Sequence, residues 1–260
     1  MKKSLRILIV NESGCFDPGL IALAKTLGNT HRVCVVAPLR SLGGRGHMLT
    51  IDKPLRPEQF FLLNKVKLFG VGNAMPCDCV GLALDKLLKA KPDLIIAGID
   101  AKNNRGEIMY SSGCVAAAQL GTMNGIRSIA VSADIENPKA ESSYSRVVST
   151  LVKMLPTLYK HIKPDITMNI NFPRKFSAKK IKLTHMTCDM LDNNYMHETN
   201  PFGLDFYWLI KPITGYSLHV LDSYGDIYWL KQGYITVTPL RYDLTSDDAF
   251  DALQRSGIGL

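Results

Sequence analysis

Apolar residues along this chain gather in short unbroken runs, separated by polar stretches that read as helices and loops. Five runs predict buried strands: Arg6–Val10, Val33–Ala37, Val66–Val71, Asp93–Ala97 and Ser128–Ser132. Continuous rather than alternating apolar runs fit strands covered on both faces. Helical patterns lie between several of them. The first opens with Asp17, which can cap orphan amides, and with Pro18, which suits the first helical position. Leu20, Leu23, Ala24 and Leu27 then recur at helical spacing. Pro76–Leu88 and Gly113–Met123 are two further candidates. Strands alternating with helices predict an α/β fold with a mostly parallel sheet built from βαβ units.

Beyond residue 140 the pattern loosens. Ser142–Leu155 reads as helix, and Asp165–Asn171 as a strand ended by Pro173. Residues 174–220 read as irregular or antiparallel structure with aromatic-rich stretches, among them Asp205-Phe206-Tyr207-Trp208. A helix is expected over Ser223–Gln232, and Tyr234–Leu240 alternates as a strand. No repeat or low-complexity linker divides the chain, so one domain is expected over residues 1–260, with 1–140 as its core and 141–260 as a C-terminal part.

The composition, 46% hydrophobic and 21% charged, is that of a soluble globular protein. No apolar run approaches the roughly 18–20 residues of a transmembrane helix. The apolar stretch Ile7–Val10 is broken by Asn11 and Glu12, too soon for a signal peptide, which points to the cytoplasm. Six cysteines without a secretion signal read as reduced thiols, and Cys77-x-Cys79 is not a zinc spacing. The net charge of +8 favours anionic ligands. It does not point to nucleic acid, because no long Lys/Arg block and no RNA-binding aromatic motif accompanies it.

In an open parallel sheet, ligands bind beyond the carboxyl ends of the strands. Three polar, glycine-containing loops stand there. Asn11-Glu12-Ser13-Gly14-Cys15 follows the first strand. Pro38 to His47, with Arg40, Gly43, Gly44 and Arg45, follows the second. Gly98 to Glu107, with Asp100, Lys102, Asn104 and Arg105, follows the fourth, and a Ser111-Ser112-Gly113 turn then enters a helix. Glu12 and Asp100 project from strand ends that could be neighbours, and with Ser13 and Asn104 they could hold a hard divalent cation. Arg40, Arg45, Lys102 and Arg105 could face an anion, and the helix start at Ser112–Gly113 offers amides to a phosphate. Together these would make a metal-assisted phosphoryl site. Plainer readings stand beside each piece. Glu12 could be a solvated loop acid, Gly43-Gly44 a turn, Ser112 a helix cap and His47 a loop histidine rather than a proton donor. The absence of G-x-G-x-x-G and of G-x-x-x-x-G-K-[ST] argues against a usual dinucleotide site and against a P-loop.

At these same loops the chain resembles the SurE family, the survival-protein E nucleotidases. Arg6 to Asn11 followed by Gly14 and Pro18-Gly19 is similar to that family's N-D-D-G opening and P-G helix start. Val36-Ala37-Pro38 with Arg40 looks like its A-P-x-R, and Asp78-Cys79-Val80 with Leu82-Ala83 like its D-C-V-x-L-A. Pro92-Asp93-Leu94 through Gly98-Ile99 resembles the approach to its asparagine-glycine loop. Ser112-Gly113-x-Val115 resembles its S-G-T-V, and Asn169-x-Asn171-x-Pro173 its N-x-N-x-P. Gly233 to Leu240 with Asp243 and Thr245 is similar to its C-terminal signature. The resemblance implies a Rossmann-like core and a C-terminal part that completes the sheet and mediates homodimers or tetramers. It also implies divalent-metal-dependent hydrolysis of nucleoside monophosphates or other phosphomonoesters, with magnesium or manganese.

The departures fall on the implied metal site. Glu12 and Ser13 stand at the paired aspartates, Gly43 at a serine, Asp100 at an asparagine, and Cys114 at the threonine of S-G-T-V. Two readings follow. In one, the cation is lost and the protein is an inactive homologue that binds nucleotides or anions, or a structural subunit. In the other, the site is rewired, since Glu12 plus Asp100 still presents two carboxylates. On that reading Glu12 and Asp100 carry catalysis, Glu12, Ser13, Asp100 and Asn104 hold metal, and Asn11, Arg40, Gly43, Asn104, Ser112, Gly113 and Cys114 line the phosphate site.

Overall fold

The protein is described here as a computed structural model, which covers residues 4–62, 66–188, 194–210 and 223–258. Parts of the stretch expected to be irregular or antiparallel, residues 189–193 and 211–220, lie outside the described residues.

Strand β1 (Arg6–Val10) lies between β2 (Arg32–Pro38) and β5 (Leu94–Asp100), parallel to both. The first and fourth predicted strands are therefore neighbours. Outward from β2 come β4 (Lys67–Gly72) and the antiparallel edge β3 (Arg56–Phe61). Outward from β5 come β6 (Ser128–Ala133), β7 (Thr167–Phe172), the antiparallel β11 (Ile235–Leu240) and the short edge β8 (Ile181–Leu183). The result is one nine-stranded, mostly parallel sheet, as the alternating pattern predicts.

Helices cover both of its faces, which is why the strands read as unbroken apolar runs. Ile7 and Ile9 pack on the side of α1 (Pro18–Gly28) and α4 (Ser145–His161). Leu8 and Val10 pack on the side of α2 (Pro76–Leu82) and α3 (Gly113–Met123). Asp17 caps α1 by accepting from the Gly19 and Leu20 amides at 2.9 and 3.1 Å. The stretch expected to continue α2 widens into a π-helical turn over Ala83–Leu87.

The edge strands and the last helix carried no legible signal, while the aromatic-rich stretch is antiparallel and α5 is helical as expected. β3 is an edge strand in which five of six residues are exposed, so it needs no apolar run. β8 occupies the opposite edge and has three residues. Helix α6 (Asp247–Arg255) buries no residue. The aromatic-rich stretch forms an antiparallel pair, β9 (Asn194–Thr199) with β10 (Asp205–Ile210), separate from the main sheet. Helix α5 (Asp226–Lys231) is shorter than its expected span.

One difference bears on the site. The fourth predicted strand ends at Ala97, but β5 runs on to Asp100. Its register against β6 shifts there, with Ala97 opposite Ala130 and Asp100 opposite Ser132. The extra residue is a bulge, which re-aims the strand end. Gly98 makes it possible. Its φ is +145°, and a Cβ there would lie 2.3 Å from the Val131 carbonyl oxygen.

Candidate functional site

Glu12 leaves the end of β1 and turns inward, with only 6% of its surface exposed. It is not a solvated loop acid. Its Oε2 accepts from the Gly113 amide at 2.5 Å, and the Gly44 amide also donates to its carboxyl. The Asp100 carboxyl hydrogen-bonds to it from the end of β5. Gly113 must be glycine in this arrangement, because a Cβ there would lie 2.7 Å from Glu12 Oε2 and 2.8 Å from the Pro76 ring.

Burial is the main force on the Glu12 carboxyl, and the neighbouring Asp100 adds to it, pushing its pKa from 4.5 up to about 8. The Gly113 and Gly44 amides oppose the shift. No arginine or lysine is among the groups that set it. Arg40, Arg45, His47 and Lys102 are exposed, and Arg105 is half-buried. Asp17 feels the same acid cluster: burial first, and Asp100 last, raise its pKa against the pull of its two capping amides.

The helix start also differs from expectation. The Ser112 hydroxyl is buried and caps α3 by accepting from the Val115 amide at 3.1 Å. The Gly113 amide is taken by Glu12. The plainer reading of Ser112 as a cap therefore holds, and the first amide of the helix is bonded to the Glu12 carboxyl. Cys114 is buried too, and its sulfur accepts from the Glu12 backbone amide. Burial, with Glu12 and Asp100 close by, raises its pKa well above the usual thiol value. It is a packing residue beside the acids.

The loop after β2 closes over the pair. The Leu42 amide donates to the Glu12 carbonyl at 2.8 Å, and the Gly46 amide to the Ser111 carbonyl at 2.9 Å. A Cβ at Gly43 would lie 3.9 Å from Glu12 Oε1, so this position faces the carboxyl while supplying no oxygen. Ser13 is half-buried.

Two unpaired donors complete the site. Asn11 is fully buried, and its Oδ1 accepts from the Gly14 amide at 3.1 Å while its Nδ2 meets no partner. Asn104 is 3% exposed, and its Nδ2 is unpartnered as well. Buried polar groups are nearly always satisfied, so two orphan amides on the loops flanking a carboxyl pair point to a ligand with acceptor oxygens. The Asn104 Nδ2 donor suits a phosphate oxygen, and its Oδ1 is the atom of the same side chain that suits a cation.

The Asn104 backbone is held by residues whose task the sequence did not disclose. Its amide donates to Ser132 Oγ at 3.1 Å, and Ser132 in turn donates to Asn171 Oδ1. Its carbonyl accepts from Asn169 Nδ2 at 2.7 Å and Asn171 Nδ2 at 3.2 Å. The period of two along β7 puts both asparagines on one face, and that spacing was the available signal.

The donor chemistry suits a hard divalent cation at Glu12 and Asp100. The buried Glu12 carboxyl and the half-buried Asp100 carboxyl are in contact, and no described Arg or Lys is among the groups acting on Glu12; magnesium accepts few protein ligands because it keeps its waters. Among the described residues, no three His, Cys, Asp or Glu side chains converge. Among the described residues, no helix is long and apolar enough to cross a membrane.

The chain is similar to known proteins. The sequence profile described as Survival protein SurE matches residues 7–195. The 5'-nucleotidase SurE of Clostridium beijerinckii is 34% identical over 246 residues, covering 93% of this chain and 94% of the relative. That of Aquifex aeolicus is 35% identical over 243 residues, covering 92% and 93%. The crystal structure of the SurE protein from Aquifex aeolicus superposes with a TM-score of 0.78 at 30% identity, covering 97% of this chain and 99% of that one.

Proposed function

Because the chain belongs to the SurE family, we propose that it is a divalent-metal-dependent phosphomonoesterase acting on nucleoside monophosphates. The observation that carries this reading is the pair of orphan amides, Asn11 Nδ2 and Asn104 Nδ2, beside two carboxyls in mutual contact. Glu12 and Asp100 would hold the cation, with Ser13 beside Glu12 in the same loop. Bound there, the cation supplies charge neutralisation and polarisation of the phosphoryl group.

The chain's own residues supply the rest. The Asn11 and Asn104 amides donate to phosphoryl oxygens and fix the group beside the carboxyls. Gly113 and Gly44 orient the Glu12 carboxyl, and Ser112 fixes the start of α3 that carries Gly113. Arg40 and Lys102, both at the rim, attract the anionic substrate over longer range. His47, exposed at the same rim, takes no step in this reading. The proposed assembly is a homodimer or tetramer in the cytoplasm, supported by the exposed Tyr207 and Trp208 of β10 for the first and by six unpaired cysteines for the second.

A second reading, an inactive homologue that binds nucleotides without turning them over, is favoured by one observation: Glu12 occupies the α3 amide, and Gly43 offers no oxygen. One experiment separates the two. Phosphate release is measured from a panel of nucleoside monophosphates and p-nitrophenyl phosphate with magnesium, manganese or EDTA. Metal-dependent release, lost in Asp100→Ala, is expected. Nucleotide binding without release under any metal would replace the first reading with the second.

A further inference from the structure

The loop after β5 is gripped from a second side, by a residue of the C-terminal part. Asp226, at the start of α5, is fully buried. Its Oδ2 accepts from the Gly106 amide at 2.9 Å. Its Oδ1 accepts from the Thr187 amide at 3.2 Å and the Thr187 hydroxyl at 2.8 Å. A carboxyl removed from water is costly unless its oxygens find donors, and here three donors converge on it.

Gly106 is pressed against this anchor. Its φ is +50°, and a Cβ there would lie 3.0 Å from Ile227 Cδ1 and 3.1 Å from the Thr187 carbonyl oxygen. Two residues upstream, the Asn104 amide and carbonyl are bound by Ser132, Asn169 and Asn171. The segment Asn104–Gly106 is thus pinned at one end by β6 and β7 and at the other by α5. The Asn104 Nδ2 is left without a partner.

We infer that Asp226 is a positioning residue: by holding the Gly106 amide it fixes where Asn104 presents its side-chain amide to a phosphoryl oxygen. The inference rests on the nucleotidase reading for its effect on rate, and on the hydrogen bonds alone for its effect on the loop. The C-terminal part then contributes to the site itself as well as to the sheet.

Asp226→Asn is the informative variant, since it keeps the shape and replaces one acceptor with a donor. Thr187 brings two donors to Oδ1, so the new amide oxygen remains there and its NH2 faces the Gly106 N–H. The grip on Gly106 is released and the grip on Thr187 is kept. Full-length wild type, Asp226→Asn, Asn104→Ala and the double variant are compared by amide hydrogen exchange, by binding of adenosine monophosphate with magnesium, and by kcat and KM for phosphate release.

In Asp226→Asn, exchange across residues 101–106 should rise at least about tenfold while β1 stays protected. The value of kcat/KM should fall by about 10–100-fold, the range expected of a misplaced binding group. In the Asn104→Ala background, the same change should cost less than about twofold, because the two residues act through one contact. Losses that multiply in full, or unchanged kcat and KM below the melting transition, would overturn the inference. If the wild type releases no phosphate, the functional reading fails alone, and exchange decides this inference: unchanged protection at 101–106 rejects it. Should Asp226→Asn not fold, Thr187→Val, which removes one donor from Oδ1, replaces it. A smaller rise in exchange at the same segment is then expected, and none would overturn the inference.

Discussion

Two loops close the same end of the sheet, and they are built on opposite principles. The loop after β1 places Glu12 against Asp100, two acids whose contact burial makes unfavourable. The loop after β5 holds Asn104 by neutral dipoles that satisfy its backbone from Ser132, Asn169 and Asn171. Only the first arrangement gains from a cation. The second satisfies the Asn104 amide and carbonyl and leaves Asn104 Nδ2 without a partner, a donor that suits an anion. The pair therefore divides the labour: charge to be neutralised at one loop, and a donor to be used at the other.

The sharpest way to break this comparison is to remove the acid on the β5 side. Asp100→Ala should cut metal-dependent phosphate release by about a hundredfold or more, the scale of losing a principal electrostatic group. Unchanged release in the panel assay would separate the carboxyl pair from the chemistry.

The next largest effect is on stability. The Glu12 pKa rises from 4.5 to about 8 on folding, so across that window the metal-free fold keeps a proton that the unfolded chain has released. Its contribution is fully present below pH 4.5 and is lost as pH rises through about 8. Thermal unfolding in EDTA should thus show a Tm that falls by several degrees over this range. Glu12→Gln, which mimics the protonated acid, should flatten that fall while removing metal binding. An equally steep fall in the glutamine variant would show that another group is responsible.

The dipole side predicts a smaller loss with no pH dependence in this window. Asn169→Ala removes one donor from the Asn104 carbonyl and should cost about 1–3 kcal/mol of stability by denaturant unfolding, equally at pH 5 and pH 9. A cost confined to high pH would tie the asparagine network to the acid pair. Smallest of all, Gly43→Ser adds a hydroxyl on a Cβ that would stand 3.9 Å from Glu12 Oε1. Manganese affinity, read by calorimetry, should tighten by up to about tenfold. No change would mean that this loop does not face the cation.

Much of the fold was legible. Strand β1 and helix α3 fall at their predicted bounds, and the other central strands lie within a few residues of theirs. Edges were not legible. β3 is mostly exposed and β8 is short, so neither had to spend apolar residues. In the site, Glu12 and Asp100 could be paired because they end predicted neighbouring strands. The bond from Glu12 to the Gly113 amide and the burial of Asp226 could not be read from residue type or spacing.

The sequence by itself determined which segments enter the core and in what order, because an unbroken apolar run must be buried whatever it meets. It also located the polar loops, since buried connections rarely carry so many glycines and charges. Only the tertiary structure decided which donor meets which acceptor. Glu12 binds an amide 101 residues away, and Asp226 one 120 residues away. Such contacts are selected by the packing of both strand ends and helix starts together. Hydrogen bonds act within about 3 Å, and no local pattern encodes a distance that short across that much chain.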